Sequence, residues 1–162
     1  AAQFLKTAPA GLLERMEQQA NEMKQLRQAL DKLKAEASLG EAKQFLASAK
    51  TVDGLHVITG TRQGLDANAL RLMGDFLRDK EPKVVAVLAA VNGEKITFLA
   101  VCGKDAVKAG VKAGDIIKQV SAIAGGSGGG KPDSAMGGGK DPLLVDNALA
   151  MVDNVVSMKL GV

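Results

Sequence analysis

The sequence has few of the residues that build disulfides, metal sites and base-stacking surfaces. It contains no Trp or Tyr, four Phe, one cysteine and one histidine. A lone cysteine, Cys102, excludes an internal disulfide, and with His56 as its only companion it cannot complete a four-ligand zinc site. The scarcity of aromatic rings disfavours recognition of single-stranded nucleic acid by stacking. We expect no metal or other cofactor in this domain.

Long apolar runs are missing as well. No stretch approaches the roughly 20 apolar residues that cross a bilayer, and the N-terminal residues lack the charged region and apolar core of a signal peptide. We therefore expect a cytoplasmic protein with no membrane partner. The net charge of +3 permits contact with nucleic acid but requires that any basic patch be local.

Glycine, by contrast, is concentrated in one segment. Eight of the 19 glycines lie in residues 125–140, which read G-G-S-G-G-G-K-P-D-S-A-M-G-G-G-K. Because glycine has no Cβ, such a segment brings backbone N–H groups close to a ligand. A flexible Gly/Ser linker is the alternative, but specific residues at 131–136 interrupt the run and helical patterns flank it. We interpret the segment as an ordered loop that binds a ligand.

The same segment resembles the start of a phosphate-binding P-loop. Gly125 is followed, after four residues, by Gly130-Lys131, but Pro132 stands where Ser or Thr would hold Mg²⁺. The element before it is predicted to be a helix rather than a strand, so nucleotide hydrolysis is not expected. An anion-binding loop remains, because backbone N–H groups and polar side chains are donors for phosphate or ribose oxygens. The side-chain donors are Ser127, Lys131, Ser134 and Lys140.

Residues 11–50 have the pattern of a long, charged, amphipathic helix. Apolar residues recur at heptad spacing, and those that form the seam are Met16, Met23, Leu26, Leu30, Leu33 and Ala37. So narrow a stripe favours pairing with another helix, such as that of a second copy. The alternative is a helix packed wholly on its own domain.

The C-terminal end of this predicted helix has a different apolar pattern from the heptad region. Gly40 is predicted to break the helix. After it comes a second, shorter apolar face that we expect to dock on the globular part, formed by Ala42, Phe45, Leu46 and Ala49.

The remaining pattern predicts an α/β (α+β) fold: a small mixed β-sheet packed with helices, preceded by a long coiled-coil-like helical arm. The domains are a helical arm at 1–50 and a globular domain at 51–162 with a glycine-rich loop at 125–139. The predicted elements are a strand at 55–60, a helix at 65–80, a buried strand at 84–91, a turn at Asn92-Gly93 with positive φ at both residues, a strand at 96–102, a helical turn at 105–109, a buried helix at 113–124 and a last helix opened by Asp141-Pro142.

A basic cluster follows the predicted hairpin. Lys104 and Lys108 are four residues apart, so a helical turn places them on one face. That face is either solvated or in contact with phosphate.

The glycine motif is specific. Residues 125–138 match G-G-x-G-G-G-[KR]-P-D and the residues after it, and on this motif the chain resembles the C-terminal domain of alanyl-tRNA synthetase, in the DHH-associated family. This family also occurs on DHH phosphoesterases, where the motif helps to bind the nucleic-acid end of the substrate. The resemblance covers about residues 50–162, and the arm matches the helical subdomain of the family. The phosphoesterase branch usually carries a histidine in the motif; Lys131-Pro132 stands here instead, which favours the synthetase branch.

The resemblance implies a noncatalytic module that grips the tRNA elbow, where the D and T loops meet, and links the other domains of a synthetase. Its expected partners are tRNA, those domains and, through the arm, a second copy. The alternatives are a substrate-binding domain of a DHH-type phosphoesterase and a module that mainly drives oligomerisation. The residues expected to bind tRNA are Lys104, Lys108, Gly125, Gly126, Ser127, Gly128, Gly129, Gly130, Lys131, Ser134, Gly137, Gly138, Gly139 and Lys140.

Overall fold

A long helix precedes a six-stranded sheet in the computed structural model, which describes residues 9–162. The chain divides into two compact units between Ala37 and Ser38. The first eight residues of the predicted arm lie outside the described residues. Within the described part, no helix has both the length and the apolar character needed to cross a membrane.

Helix α1, Pro9–Ala47, contains the predicted arm. The predicted seam is exposed: Met16, Met23, Leu26, Leu30 and Leu33 keep between 51% and 68% of their accessible surface. The predicted break at Gly40 is wrong, because the helix runs through this residue without interruption. A glycine costs a helix about 1 kcal/mol, which the burial of Ala42 and Phe45 one turn later offsets. This burial confirms the predicted docking face.

The sheet is mixed, as predicted. Its spatial order is β1-β2-β3-β4-β6-β5; β2 and β3 are parallel and every other neighbouring pair is antiparallel. The strands are β1 Lys50–Val52, β2 Leu55–Gln63, β3 Val84–Asn92, β4 Lys95–Cys102, β5 Gly128–Gly130 and β6 Ser134–Gly139. All residues of β3 except Asn92 are buried, which confirms the apolar run as an interior strand covered on both faces.

Helices cover both faces of this sheet. Helix α2, Ala67–Lys80, packs on one face together with the end of α1. Helices α4, Ala113–Ile123, and α5, Val145–Leu160, pack on the other face. Between them lie the short α3, Lys104–Lys108, and a 3₁₀ turn, Pro142–Leu144. Asp141 caps this turn by accepting a hydrogen bond from the Leu143 backbone N–H, so the predicted acidic cap is confirmed.

The first part of the sheet differs from the prediction. Strand β2 does not end at Gly60 but continues to Gln63, and Gly60 is required because the Phe45 ring lies where a Cβ would project. Strand β1 was not predicted. It is joined to β2 by Asp53-Gly54, whose φ angles of 46° and 83° are those of a tight hairpin turn. The Asp-Gly pair was the available signal for this hairpin.

The hairpin between β3 and β4 is confirmed, but its turn is displaced by one residue. Asn92 pairs with Lys95, so the turn residues are Gly93 and Glu94, and Gly93 has a φ of 61°. Positive φ at Asn92 was wrong. The Asn92 side chain instead donates a hydrogen bond to the Leu65 carbonyl at 3.0 Å, which holds the residue as the last one of the strand.

Candidate nucleic-acid interface

The glycine-rich segment is a β-hairpin at the edge of the sheet. Strands β5 and β6 pair with Gly129 opposite Met136, and β6 joins the hairpin to β4. The prediction of a loop between two helices was therefore wrong for residues 128–130 and 134–139. Pairing of β6 with β4 and of β5 with β6 explains the difference, because these ladders align the glycines as strands despite their low strand propensity.

Three of the glycines are required by the close approach of α4. A Cβ at Gly128 would lie 2.5 Å from Ile117 Cγ2, and one at Gly139 would lie 2.9 Å from Ala124 Cβ. A Cβ at Gly137 would overlap Ser121 Oγ. These contacts explain the absence of side chains on this face by helix packing alone, a cause that the sequence reasoning missed.

Two other glycines have no such cause. A Cβ at Gly129 would meet nothing closer than Lys118 Cε at 3.8 Å, and one at Gly138 nothing closer than the Ile96 carbonyl oxygen at 3.5 Å. Both distances are ordinary van der Waals contacts, and neither residue has a positive φ. An alanine therefore fits at both positions. The fold does not explain why these two strand positions lack side chains.

The turn of the hairpin carries Lys131, whose side chain is exposed. Together with Arg71 and Arg78 of α2, Lys131 lines a shallow cavity of about 430 Å³ over the glycine strands. Arg71 reaches Met136, with its Nη2 atom 3.2 Å from the sulfur. The sequence reasoning missed both arginines. Their seven-residue spacing, which places them on one side of α2, was the only signal for them.

An ion-pair cluster holds the turn in position. Arg78 lies 3.2 Å from an oxygen of Asp75, and 3.5 Å from oxygens of both Asp79 and Asp133. The Asp133 carbonyl also accepts a hydrogen bond from the Cys102 backbone N–H at 3.0 Å. The hairpin turn is thus attached to α2 on one side and to the end of β4 on the other.

The predicted basic residues fall into two groups. Lys104 and Lys108 lie on α3, as predicted, and line a second cavity that shares Arg78 and Asp133 with the first. The structure therefore brings them close to the turn that carries Lys131. Lys140 follows the far end of β6, about 20 Å from the turn at 3.3 Å per strand residue. It lies with Gly125, Gly126 and Ser127 rather than with the other lysines.

Cys102 is buried at the end of β4, as predicted. Burial, assisted by the nearby Asp133 carboxylate, raises the pKa of its thiol to about 12. The thiol stays protonated at neutral pH and is a poor nucleophile. Among residues 9–162, the structure brings no three His, Cys, Asp or Glu side chains together in a way that suits a metal ion.

Comparison with known proteins points to one family. The model of the DHHA1 domain matches residues 53–158. An alanine–tRNA ligase of Bacillus mycoides is 41% identical over 156 residues, which are 96% of this chain and 18% of that protein. One from Alkaliphilus oremlandii is 35% identical over 99% of this chain and 18% of its own length. This chain thus spans about a fifth of the length of these curated relatives.

A solved structure shares the fold. The C-Ala domain from Aquifex aeolicus alanyl-tRNA synthetase superposes with a TM-score of 0.63 and 29% sequence identity. The match covers 67% of this chain and 97% of that domain.

Proposed function

This chain belongs to the DHHA1 domain family, as its glycine motif predicted, and from this we propose that it binds tRNA for an alanine–tRNA ligase without taking part in the chemistry. The proposed contact is the elbow, the outer corner of the L-shaped tRNA where the D and T loops meet. This corner has a similar shape in all tRNAs, so its recognition rests on the sugar-phosphate backbone. The remaining domains of the ligase are the other proposed partners.

The pair of glycines that the fold does not need carries this proposal. Gly129 and Gly138 lie in strands, where side chains are accommodated without strain, yet neither has one. Without a Cβ at these positions, a sugar-phosphate chain can pack closely against the backbone of the hairpin. Selection for contact with a ligand explains such glycines, whereas packing does not.

Positive charge supports the same surface. Lys131 and Arg71 line the cavity over the glycine strands, and Lys104 and Lys108 lie on the other side of the Arg78–Asp133 pair. Their side chains supply charge-assisted hydrogen bonds to phosphate. The net charge of the chain is only +3, so this local cluster accounts for the attraction to RNA.

The test is a titration of the chain with tRNA at several salt concentrations. Wild-type affinity should fall linearly with salt on a double logarithmic plot, and Lys131→Ala should reduce the slope by about 1. Lys50→Ala is the matched control, because Lys50 lies in β1 at the opposite edge of the sheet, about 24 Å from β5 at 4.8 Å per strand. Several tRNA species should give similar affinities. Equal effects of the two substitutions would contradict the proposed surface.

A second function is favoured by the exposed seam of α1. Five large apolar side chains at heptad spacing keep more than half of their surface accessible. Helices with this pattern bury the seam against another helix. The second copy of the chain is the proposed occupant, and light scattering on the purified protein should give the mass of a dimer.

A further inference from the structure

The larger of the two cavities beside the hairpin turn has the dimensions of a small-ligand site. Its volume is about 670 Å³, within the range of about 300 to 1,000 Å³ that is usual for such sites. Three parts of the chain form its walls: the end of α2, the helix α3 and the turn at Asp133. Gly103, which precedes α3, allows this arrangement, because a Cβ there would overlap the Pro82 carbonyl.

The floor of the cavity is apolar. Its apolar lining comes from the half-buried Val107 and the exposed Pro82, together with the fully buried Cys102. The thiol carries no charge at neutral pH because its pKa is raised to about 12. Such a floor suits the flat face of an aromatic ring, because removal of this apolar surface from water is favourable.

The rim carries cations on one side. Lys104 and Lys108 are both exposed and lie one helical turn apart on α3, so their ammonium groups project from one face. Arg78 is the third cation of the lining. The two lysines suit a phosphate group, which accepts hydrogen bonds from several donors at once.

The remaining polar groups of the wall are carboxylates. Asp79 and Asp133 each lie against Arg78 through one oxygen, at 3.5 Å in both cases. Asp79 and Asp133 keep 72% and 51% of their side-chain surface exposed, so both carboxylates are accessible to a ligand that donates a hydrogen bond. A carboxylate accepts from the exocyclic amine of a nucleobase, as in the recognition of cytosine N4.

These features together match the parts of one nucleotide. We propose that the cavity receives a single unstacked nucleotide of the bound RNA whose base carries an exocyclic amine. The base lies on the apolar floor, the amine donates to Asp79 or Asp133, and the phosphate lies against Lys104 and Lys108. This inference rests on the proposed function and adds a base preference to it: adenine, cytosine and guanine fit the carboxylates, whereas uracil has no amine to donate.

Nucleoside monophosphates test the cavity without tRNA. AMP and CMP should shift the Val107 methyl resonances and bind at least about fivefold more tightly than UMP, because uracil has only its ring N3–H donor and no exocyclic amine that projects toward the carboxylates. Inorganic phosphate should shift only the Lys104 and Lys108 resonances. Replacement of both lysines by alanine should weaken AMP binding about tenfold, and Lys50→Ala should leave it unchanged. Absence of a Val107 shift with AMP and CMP, or equal binding of AMP and UMP, would overturn the proposal.

A second set of titrations identifies RNA as the source of the nucleotide. Val107→Phe fills the cavity and should weaken both AMP and tRNA binding, and excess AMP should compete with tRNA. If tRNA binding depends on Lys131 but is unaffected by Val107→Phe and by AMP, the cavity proposal fails and the proposed function stands. If AMP binds in the cavity while tRNA does not bind to the chain, the proposed function fails, and with it the assignment of the cavity to RNA.

Discussion

The Oγ atom of Ser121 is the one buried side-chain polar atom without a hydrogen-bond partner among residues 9–162. Ser121 lies on α4, and its hydroxyl points at Gly137 in β6. A buried hydroxyl without a partner costs about 1 to 3 kcal/mol. The residue nevertheless suits this position in size, because the α4–β6 contact leaves room for only a small side chain.

Replacing Ser121 by alanine should therefore stabilise the protein. Ser121→Ala removes the hydroxyl that lacks a partner and keeps the small volume, so we expect the free energy of unfolding in urea to rise by about 1 kcal/mol. The control is Ser157→Ala on the half-buried side of α5, where a change within about 0.5 kcal/mol is expected. A loss of stability in Ser121→Ala would show that the hydroxyl has a partner in solution.

The Cys102 thiol links stability to alkaline pH. Its pKa is raised from 9.0 to about 12 in the folded state, so the unfolded chain loses the proton first as pH rises. The stability is complete below pH 9 and falls between about pH 9 and 12, by up to about 1.4 kcal/mol per pH unit. Cys102→Ala should have a shallower decline over this range in urea unfolding at a series of pH values. Parallel curves for the two proteins would contradict the assigned pKa shift.

At the scale of elements, the glycine hairpin combines two different demands on the same residue type. On the face of the hairpin toward α4, Gly137 makes room for Ser121 and Ile117. A Cβ at Gly129 or Gly138 would make only ordinary van der Waals contacts, so packing does not require a glycine at either position. The two groups predict opposite results for the same substitution, which separates the packing role of glycine from its proposed binding role.

Gly137→Ala should destabilise the protein, and Gly129→Ala should not. The methyl group at residue 137 overlaps the Ser121 hydroxyl, which should cost about 1 to 3 kcal/mol in the free energy of unfolding. At residue 129 the methyl group has space, so stability should be unchanged or slightly higher. Gly129→Val should in addition weaken tRNA binding, because the larger side chain blocks approach to the backbone. Normal tRNA affinity in a folded Gly129→Val protein would place the binding surface elsewhere.

The seam of α1 makes a prediction about assembly. Leu26→Lys together with Leu30→Lys puts two charges into the proposed dimer contact and should convert a dimer to a monomer by light scattering. Gln28→Lys is the matched control, because it adds a charge on the opposite side of the helix and should leave the mass unchanged. A monomeric wild-type protein at high micromolar concentration would rule out self-association through this seam.

At the scale of the molecule, the chain corresponds to about a fifth of the length of its curated relatives, and its described residues include no group of three His, Cys, Asp or Glu side chains that could hold a metal ion. The single histidine, His56, lies in β2, and the single cysteine is buried with a raised pKa. The family model covers residues 53–158, so all of α1 lies outside the part of the chain that matches the family.

The isolated chain should therefore catalyse none of the reactions of a ligase. We expect no aminoacylation of tRNA, no deacylation of mischarged tRNA and no ATP hydrolysis in protein purified to homogeneity, because the single cysteine keeps its thiol protonated and the described residues bring no three His, Cys, Asp or Glu side chains together to hold a metal ion. Each assay needs a full-length ligase as the positive control. Activity that co-purifies with the chain and is lost in a Cys102→Ala variant would contradict this prediction and assign the chemistry to the thiol.

The sequence by itself determined the features that depend on neighbours along the chain. The apolar run at residues 84–91 predicted an interior strand, the heptads predicted the long helix, and Asp141-Pro142 predicted the start of a helical segment, because each pattern acts within a few residues. The glycine motif also identified the family. The break at Gly40 and the strand end at Gly60 were predicted by the same local rules and were wrong, because the burial of Ala42 and Phe45 stabilises the helix beyond Gly40 and pairing with β3 extends β2 to Gln63.

Only the tertiary structure decided which glycines of the hairpin are required for packing. Gly129 and Gly137 are indistinguishable in the sequence, and the packing of α4 against one face alone makes the second one indispensable to the fold. The candidate site also depends on the tertiary structure. Arg78 and Asp133 are 55 residues apart in the sequence and meet because β4 and β6 pair beside α2. The pairing of distant strands leaves no spacing in the sequence that predicts such a contact, and this is why the ion pair of Arg78 with Asp133 was found only in the folded molecule.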